Sequence, residues 1–235
     1  MKHRPSSTKG GSGRDDRGGC CPATRAQAAI PQFNDPTLGQ SFAPADFYEF
    51  YDETASSANG GGVGNDCIAI YAQSDLFSDI VSAFTTEFGL NAGSLSRVDT
   101  DGTMGTYNGA ETEALLDVEW SHSVAPAAPI TLYLGQDLAT AVQKSVNENA
   151  CGSIDISFAI CGGTADSIQS LDNIFSQAAS QGISVFVSAG DDGAAGLVGN
   201  CVTGTTRNVN EMSASPHVTS VGGTGLQSEV QRKWK

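Results

Sequence analysis

Positively charged residues are scarce outside the two ends of the chain. Residues 26–231 contain only three, Arg97, Lys144 and Arg207, against 24 Asp and Glu residues, and the formal net charge is −14. A surface this acidic repels phosphate backbones, so nucleic-acid binding is not expected. The acidity suits simple solubility, or a protein that works at low pH, where protonated carboxylates reduce self-repulsion.

Long apolar runs and paired cysteine motifs are also missing. No window has 18 consecutive apolar residues, so no membrane-spanning helix is expected. The first 26 residues are basic but contain no apolar stretch typical of a signal peptide. No C-x-x-C pair indicates a structural zinc site. Of the six cysteines, Cys67 is interpreted as a buried thiol in an apolar run. A Cys161–Cys201 disulfide is a hypothesis, because one sequence does not fix connectivity.

Composition divides the chain into three segments. Residues 1–40 are rich in Gly, Ser and basic residues at their start and predict a disordered leader. A basic arm for nucleic acid is the alternative for this segment. Residues 41–228 alternate apolar runs with loops and predict one folded domain. Residues 229–235 form a basic terminus of a different character.

The central segment predicts alternating strands and helices. The predicted helices are Pro44–Glu53, Asp75–Phe88, Glu111–His122, Leu138–Glu148 and Ile168–Gln181. The predicted strands are Cys67–Ala72, Ser94–Val98, Ile130–Leu134, Ile154–Ile160, Ile183–Ser188 and His217–Val221. This order indicates an α/β fold, with a parallel sheet covered by helices on both faces. In such sheets the functional site lies beyond the carboxyl ends of the strands.

The segment ETEALLDVEW, residues 111–120, contains a pair of acids at helical spacing. Glu113 and Asp117 are four residues apart and share one face of a helix, with Leu115, Leu116 and Val118 predicted as its buried flank. Two adjacent carboxylates perturb each other, so one holds its proton to a higher pH. Such a pair can relay a proton, although most E-x-x-x-D pairs lie on a solvated face. Glu111 and Glu119 leave the choice of pair open.

The segment SAGDDG, residues 188–193, follows an apolar strand directly. Its glycines allow a tight turn and close approach of a substrate backbone. A protonated Asp191 could donate a hydrogen bond to a developing oxyanion. A simple turn is the alternative interpretation of this segment.

Three segments in this order resemble the sedolisin family of serine-carboxyl peptidases. They are E-A-L-L-D-V-E-W at 113–120, S-A-G-D-D-G at 188–193, and S-A-S-P-H-V-T-S-V-G-G-T at 213–224. The family has a Glu-x-x-x-Asp helix, an S-x-G-D-x-G turn and an S-P-x-V-T-x-V-G-G-T strand. The resemblance runs from about residue 42 to about residue 226.

The resemblance implies a subtilisin-like fold and a role for each acid. Glu113 matches the family's general base toward a serine, Asp117 the aspartate that orients this glutamate, and Asp191 the oxyanion aspartate. Protein or peptide substrates and an extracellular location are implied as well. The segment 156–162 resembles the strand that lines the substrate cleft, where Ala159 and Ile160 depart from the usual pattern.

The family's nucleophile motif, G-T-S-x-x-x-P, does not occur in this sequence. Residues 41–228 are therefore expected to be a partial peptidase domain, incomplete at its C-terminus and inactive alone. The family's calcium site also lies beyond this stretch, so calcium is expected of the family but its ligands are not in this chain. An incomplete sheet predicts an exposed edge strand.

Two other functions are weighed against this one. Subtilisin chemistry needs a histidine base, but the three histidines, His3, His122 and His217, lack a matching context. A non-catalytic α/β binding module remains the alternative, although no nucleotide-binding glycine motif follows a strand. In a peptidase, Glu113, Asp117 and Asp191 face one cleft, whereas in a binding module they need not converge.

Overall fold

The structure, a computed structural model, has a central sheet between two helical layers. It describes residues 33–35, 39–51, 67–160, 162–195, 197–198, 202–205 and 207–223. All of them belong to one compact unit, Pro31–Leu226. Within these ranges, no helix is both long and apolar enough to cross a membrane.

The described elements alternate as the sequence predicts. The strands are β1 Phe33–Asp35, β2 Gly39–Ser41, β3 Cys67–Ala72, β4 Leu95–Asp99, β5 Ile130–Leu134, β6 Cys151–Ile156, β7 Ser184–Ser188, β8 Leu197–Val198, β9 Val202–Thr203 and β10 Thr219–Val221. The helices are α1 Pro44–Phe50, α2 Ser78–Glu87, α3 Glu111–Val124, α4 Leu138–Glu148 and α5 Ala165–Ser180, with 3₁₀ turns at Gly193–Ala195 and Met212–Ala214.

Six strands form one parallel sheet in the order β10-β7-β6-β3-β5-β4. The strands β3 and β6 are neighbours, and the helices that follow them, α2 and α5, pack on opposite faces. The chain therefore leaves these two strand ends in opposite directions and opens a crevice between them, which is where open α/β sheets place their sites. The predicted α/β fold with helices on both faces is confirmed.

Side-chain alternation along the strands separates the two layers. In β3, Ile70 packs with α3, whereas Tyr71 packs with α4 and α5 on the other face. In β6, Ile154 and Ile156 belong to the α4–α5 side. Because successive strand residues point to opposite faces, Asp155 points toward α3.

Several predicted boundaries move in the structure. The strand predicted over Ile154–Ile160 begins at Cys151 and ends at Ile156, so residues 157–160 are irregular chain. Helix α1 ends at Phe50 and α2 begins only at Ser78. Two short antiparallel strands, β1 and β2, occupy the end of the segment predicted as a disordered leader, where Phe33 contacts Phe88 edge to face. Residues 1–32 and 224–235 lie outside the described residues.

Strand β10 lies at one edge of the sheet, and its three residues are exposed. On the neighbouring strand β7, Phe186 is 38% exposed, and on β10 Val221 is 49% exposed. Both are large apolar side chains on this part of the sheet. The sequence-based expectation of an exposed edge agrees with this arrangement.

A disulfide joins β3 to β6. Cys67 is bonded to Cys151, its register partner on the neighbouring strand. The interpretation of Cys67 as a free thiol is therefore wrong, because pairing between strands far apart in sequence cannot be inferred from the apolar run alone. The hypothetical partners Cys161 and Cys201 lie outside the described residues.

Removing this bond should destabilise the fold. The two cysteines are 84 residues apart, and closing so long a loop restricts the unfolded chain, so we expect a C67S/C151S variant to lose about 2–5 kcal/mol of unfolding free energy. Urea unfolding followed by tryptophan fluorescence measures the loss. A reducing agent should lower the wild-type midpoint and leave the double variant unchanged. An equal effect on both proteins would mean that other cysteines are responsible.

Candidate active site

Helix α3 carries the predicted acid pair and begins beside the carboxyl end of β3. The carboxylate of Glu111 accepts hydrogen bonds from the Gly109 amide at 2.7 Å and from the Ser74 hydroxyl at 3.2 Å. These bonds lower the pKa of Glu111, the largest contribution being from its own backbone amide. Glu111 therefore anchors the start of the helix, which removes it as an alternative member of the acid pair.

The buried face of α3 fixes where the acid pair points. Ala114, Val118 and His122 follow at intervals of four residues and are buried. Leu116 was expected on the buried flank but is 48% exposed, because two residues along a helix turn a side chain to the opposite face. Glu113 and Asp117 lie beside the buried stripe and are half-buried.

Asp117 contacts the segment that follows β6. The Ser157 hydroxyl donates a hydrogen bond to Asp117 Oδ1 at 2.8 Å. The other oxygen, Asp117 Oδ2, is buried and has no hydrogen-bond partner among the described residues. Burial raises the pKa of Asp117 to about 8, and the charges of Asp155 and Glu113 raise it too, against the Ser157 bond. Asp117 is therefore protonated at acidic and neutral pH.

Glu113 lies within electrostatic reach of the loop after β7. Burial raises the pKa of Glu113, and the charge of Asp191 raises it further. Glu113 in turn raises the pKa of Asp117 and of Asp155. Acids from α3, β6 and the loop after β7 thus share one electrostatic environment, although Asp191 itself is exposed.

Asn210 fixes the loop that carries Asp191. Its side-chain amide is buried and donates to the carbonyl oxygens of Phe158 at 3.1 Å and Ser188 at 2.8 Å. It therefore joins the chain just beyond β6 to the end of β7. Gly190 has a φ of +97°, a backbone conformation that residues with a Cβ rarely adopt, and it turns the chain immediately before Asp191.

Sequence reasoning missed three polar residues of this region: Asp155, Ser157 and Asn210. Asp155 and Ser157 alternate with Ile154 and Ile156, so one face of the segment is polar. That alternation was a usable signal, but a strand apolar on both faces was assumed instead. Asn210 carries no local signal for this role, because the two carbonyl oxygens that its side-chain amide donates to are more than 20 residues away in sequence.

Other groups in the molecule lie apart from these acids. His122 is buried, burial lowers its pKa, and neither ring nitrogen has a partner among the described residues. A cavity of about 400 Å³ lies on the α5 side of the sheet, between this helix and residues 211–216, and the predicted acids are not among its lining residues. Within the described part of the chain, no group of three or more His, Cys, Asp or Glu side chains is arranged to hold a metal ion.

The raised pKa of Asp117 predicts how stability depends on pH. A carboxyl whose pKa is higher in the folded state stabilises the fold fully below its unfolded pKa of about 4. This contribution is lost as pH rises through the folded pKa of about 8. We expect the unfolding free energy of Asp117→Asn to equal that of the wild type near pH 4. Near pH 8 the variant should be more stable by on the order of 3 kcal/mol, after allowance for the partial exposure of Asp117.

Urea unfolding of both proteins across this pH range measures the difference. Asp79→Asn, which removes an exposed acid on α2, is the control for net charge and should show a much smaller pH-dependent gain. A wild-type stability that rises with pH relative to Asp117→Asn would contradict the burial of a protonated Asp117.

Known proteins resemble this chain in sequence and in fold. Kumamolisin from Bacillus sp. (strain MN-32) is 26% identical over 231 residues, which cover 88% of this chain and 37% of that protein. Sedolisin from Pseudomonas sp. (strain 101) is 28% identical over 207 residues, covering 78% of this chain and 34% of that protein. The chain thus spans little more than a third of these relatives. No family model matches the sequence.

A solved structure shares the fold. It is that of Pseudomonas sedolisin, a serine-carboxyl proteinase complexed with two molecules of pseudo-iodotyrostatin. The TM-score is 0.63 at 24% identity, and the match covers 77% of this chain and 53% of that one. The sequence relatives and the shared fold both support the resemblance of the three motifs to the sedolisin family.

Proposed function

We propose that this chain carries the acid machinery of a sedolisin-like serine peptidase acting on proteins or peptides. In this proposal, Glu113 is the general base that takes the proton of a serine hydroxyl, and Asp117 orients Glu113. Asp191 is the oxyanion donor. The proposal is supported above all by Glu113 and Asp191, which are 78 positions apart in sequence but near enough in the fold for the Asp191 charge to raise the pKa of Glu113.

The environment of each acid suits its proposed role. A carboxyl that donates a hydrogen bond to an oxyanion must be protonated, which favours acidic conditions. A general base must ionise, and Glu113 is the more accessible member of a pair whose other member, Asp117, keeps its proton up to a pKa of about 8. One acid of the pair is therefore available as a base while the other remains neutral, which is the usual division of roles between neighbouring carboxyls.

A serine nucleophile is the group that this sequence does not supply in the family's form. None of the 235 residues belongs to a G-T-S-x-x-x-P segment. Loss of the nucleophile from a comparable serine protease lowers the rate by on the order of 10⁶-fold. We therefore propose that this polypeptide by itself does not cleave peptide bonds.

The location and the metal follow from the family only. An extracellular location is proposed because the relatives are peptidases of this kind and because the Cys67–Cys151 disulfide suits an oxidising compartment. The described residues do not fit a calcium site, since they contain no suitable ligand cluster. Calcium therefore enters no step proposed for them.

An acid-dependent casein assay tests the absence of activity. Purified protein and labelled, denatured casein should give no cleavage above the blank at acidic pH, because no hydroxyl is activated beside Glu113. The Glu113→Gln variant is the matched control for contaminating proteases. Cleavage by the wild type that disappears in Glu113→Gln would contradict the proposed inactivity and would still support the role of Glu113.

A titration tests the convergence of the acids directly. We expect Asp191→Asn to lower the pKa of Glu113, because it removes a nearby negative charge. Carboxyl carbon resonances followed by NMR against pH measure the change. Asp192→Asn is the neighbouring control and should have the smaller effect. An unchanged Glu113 midpoint in Asp191→Asn would favour the alternative, a non-catalytic binding module.

A further inference from the structure

Asp155 is a carboxyl on the sheet face that packs against α3. Its register partners are Ile70 on β3 and Phe186 on β7. Ile70 belongs to the core cluster that includes Ala114 and Val118 of α3. Residues paired in register point to the same side of a sheet, so Asp155 projects toward α3. Ser157, two residues further on, does contact α3 through Asp117, which supports this direction.

The surroundings of Asp155 contain other acids but little that would stabilise a second negative charge. Its sheet neighbours Ile70 and Phe186 are apolar, and α3 presents Glu113 and Asp117. Burial raises the pKa of Asp155 to about 6, and the charge of Glu113 raises it further, against one backbone hydrogen bond. Two neighbouring carboxylates in such a place do not ionise together.

Asp117 provides an independent geometric observation. Its Oδ1 atom is fixed by the Ser157 hydroxyl, but its Oδ2 atom is buried without a hydrogen-bond partner among the described residues. A buried polar atom left unpaired is destabilising, because it loses its hydrogen bonds to water without a replacement. A proton shared with a neighbouring carboxyl would turn this unpaired oxygen into a hydrogen-bonded one.

We propose that Asp155 is a positioning residue of the acid site, which shares one proton with Asp117 and holds the buried Oδ2 atom of that side chain. Ser157 and Asp155 then fix the two oxygens of Asp117 from one polar face of the β6 segment. The pair carries one negative charge instead of two. Glu113, which lies beside both, can therefore ionise at a lower pH than it could next to a doubly ionised pair.

The role of Asp155 as a positioning residue rests on the proposed function, whereas the shared proton can be tested without it. The test follows the carboxyl carbon resonances of Asp117 and Asp155 against pH in wild type, Asp155→Asn and Asp117→Asn. In the wild type both resonances should report the same two steps, as interacting acids do. In Asp155→Asn, Asp117 should titrate in one step, about one pH unit or more below the upper wild-type step. In Asp117→Asn, the pH midpoint of the upper Asp155 step should fall in the same way, because the interaction between the two acids is mutual.

Glu119→Gln is the matched control. Glu119 lies on the same helix and its pKa is raised by burial alone, so this variant should leave the Asp117 titration unchanged. Asp155→Ser is the second variant if Asp155→Asn does not fold, and the wild-type two-step titration is decisive if neither folds. Independent single steps in the wild type, or an Asp117 midpoint that Asp155 variants do not move, would overturn the proposal.

The outcome is separable from that of the proposed function. If Asp191→Asn lowers the pKa of Glu113 while Asp155 variants leave Asp117 unchanged, the peptidase proposal stands and the shared proton is excluded. If Asp155 variants move Asp117 but Asp191→Asn does not affect Glu113, the acid pair is real and the link to the oxyanion position is lost.

Discussion

The half-buried carboxyl of Asp117, held between α3 and the end of β6, is the interaction on which the rest of the site depends. A carboxyl in this place is costly to ionise, so it keeps its proton over most of the pH range. The parallel sheet makes the place possible, because β3 and β6 separate at their carboxyl ends and leave room for α3 beside the polar segment after β6. Without that geometry the same acid on a helix would be an ordinary solvated side chain.

The two faces of the sheet are not equivalent. The α4–α5 face is covered by a continuous apolar core that includes Ile154, Ile156, Val185 and Val187. On the α3 face the sheet is apolar along β5 and β3, whereas Asp155 of β6 and Ser157 just beyond it are polar, and β7 presents Phe186 and Ser188. The change from apolar to polar falls where α3 brings its acids, so the sheet itself supplies a polar floor for the site. One face thus holds the apolar core and the other carries the acids of the proposed site.

The electrostatics of the buried acids make the stability of the fold depend on pH. Burial and nearby acids raise the pKa values of Glu113, Asp117 and Asp155, and no positively charged side chain of the described residues lowers them. Protonation of Glu113, Asp117 and Asp155 relieves both the cost of burying their charges and their mutual repulsion, so a low pH stabilises this region.

The sequence by itself determined the order of the main strands and helices and the parallel α/β class, and it singled out Glu113, Asp117 and Asp191 as candidate site residues. These follow from local patterns: apolar periodicity, a four-residue helical spacing, and glycines after a strand. Only the tertiary structure decided that Glu111 anchors the helix start, that Cys67 pairs with Cys151, and that Leu116 faces solvent. The contributions of Ser157, Asp155 and Asn210 also depend on strand pairing and on contacts between distant segments. A single sequence does not encode such contacts locally, because register and burial are settled only when the sheet and its helices pack together.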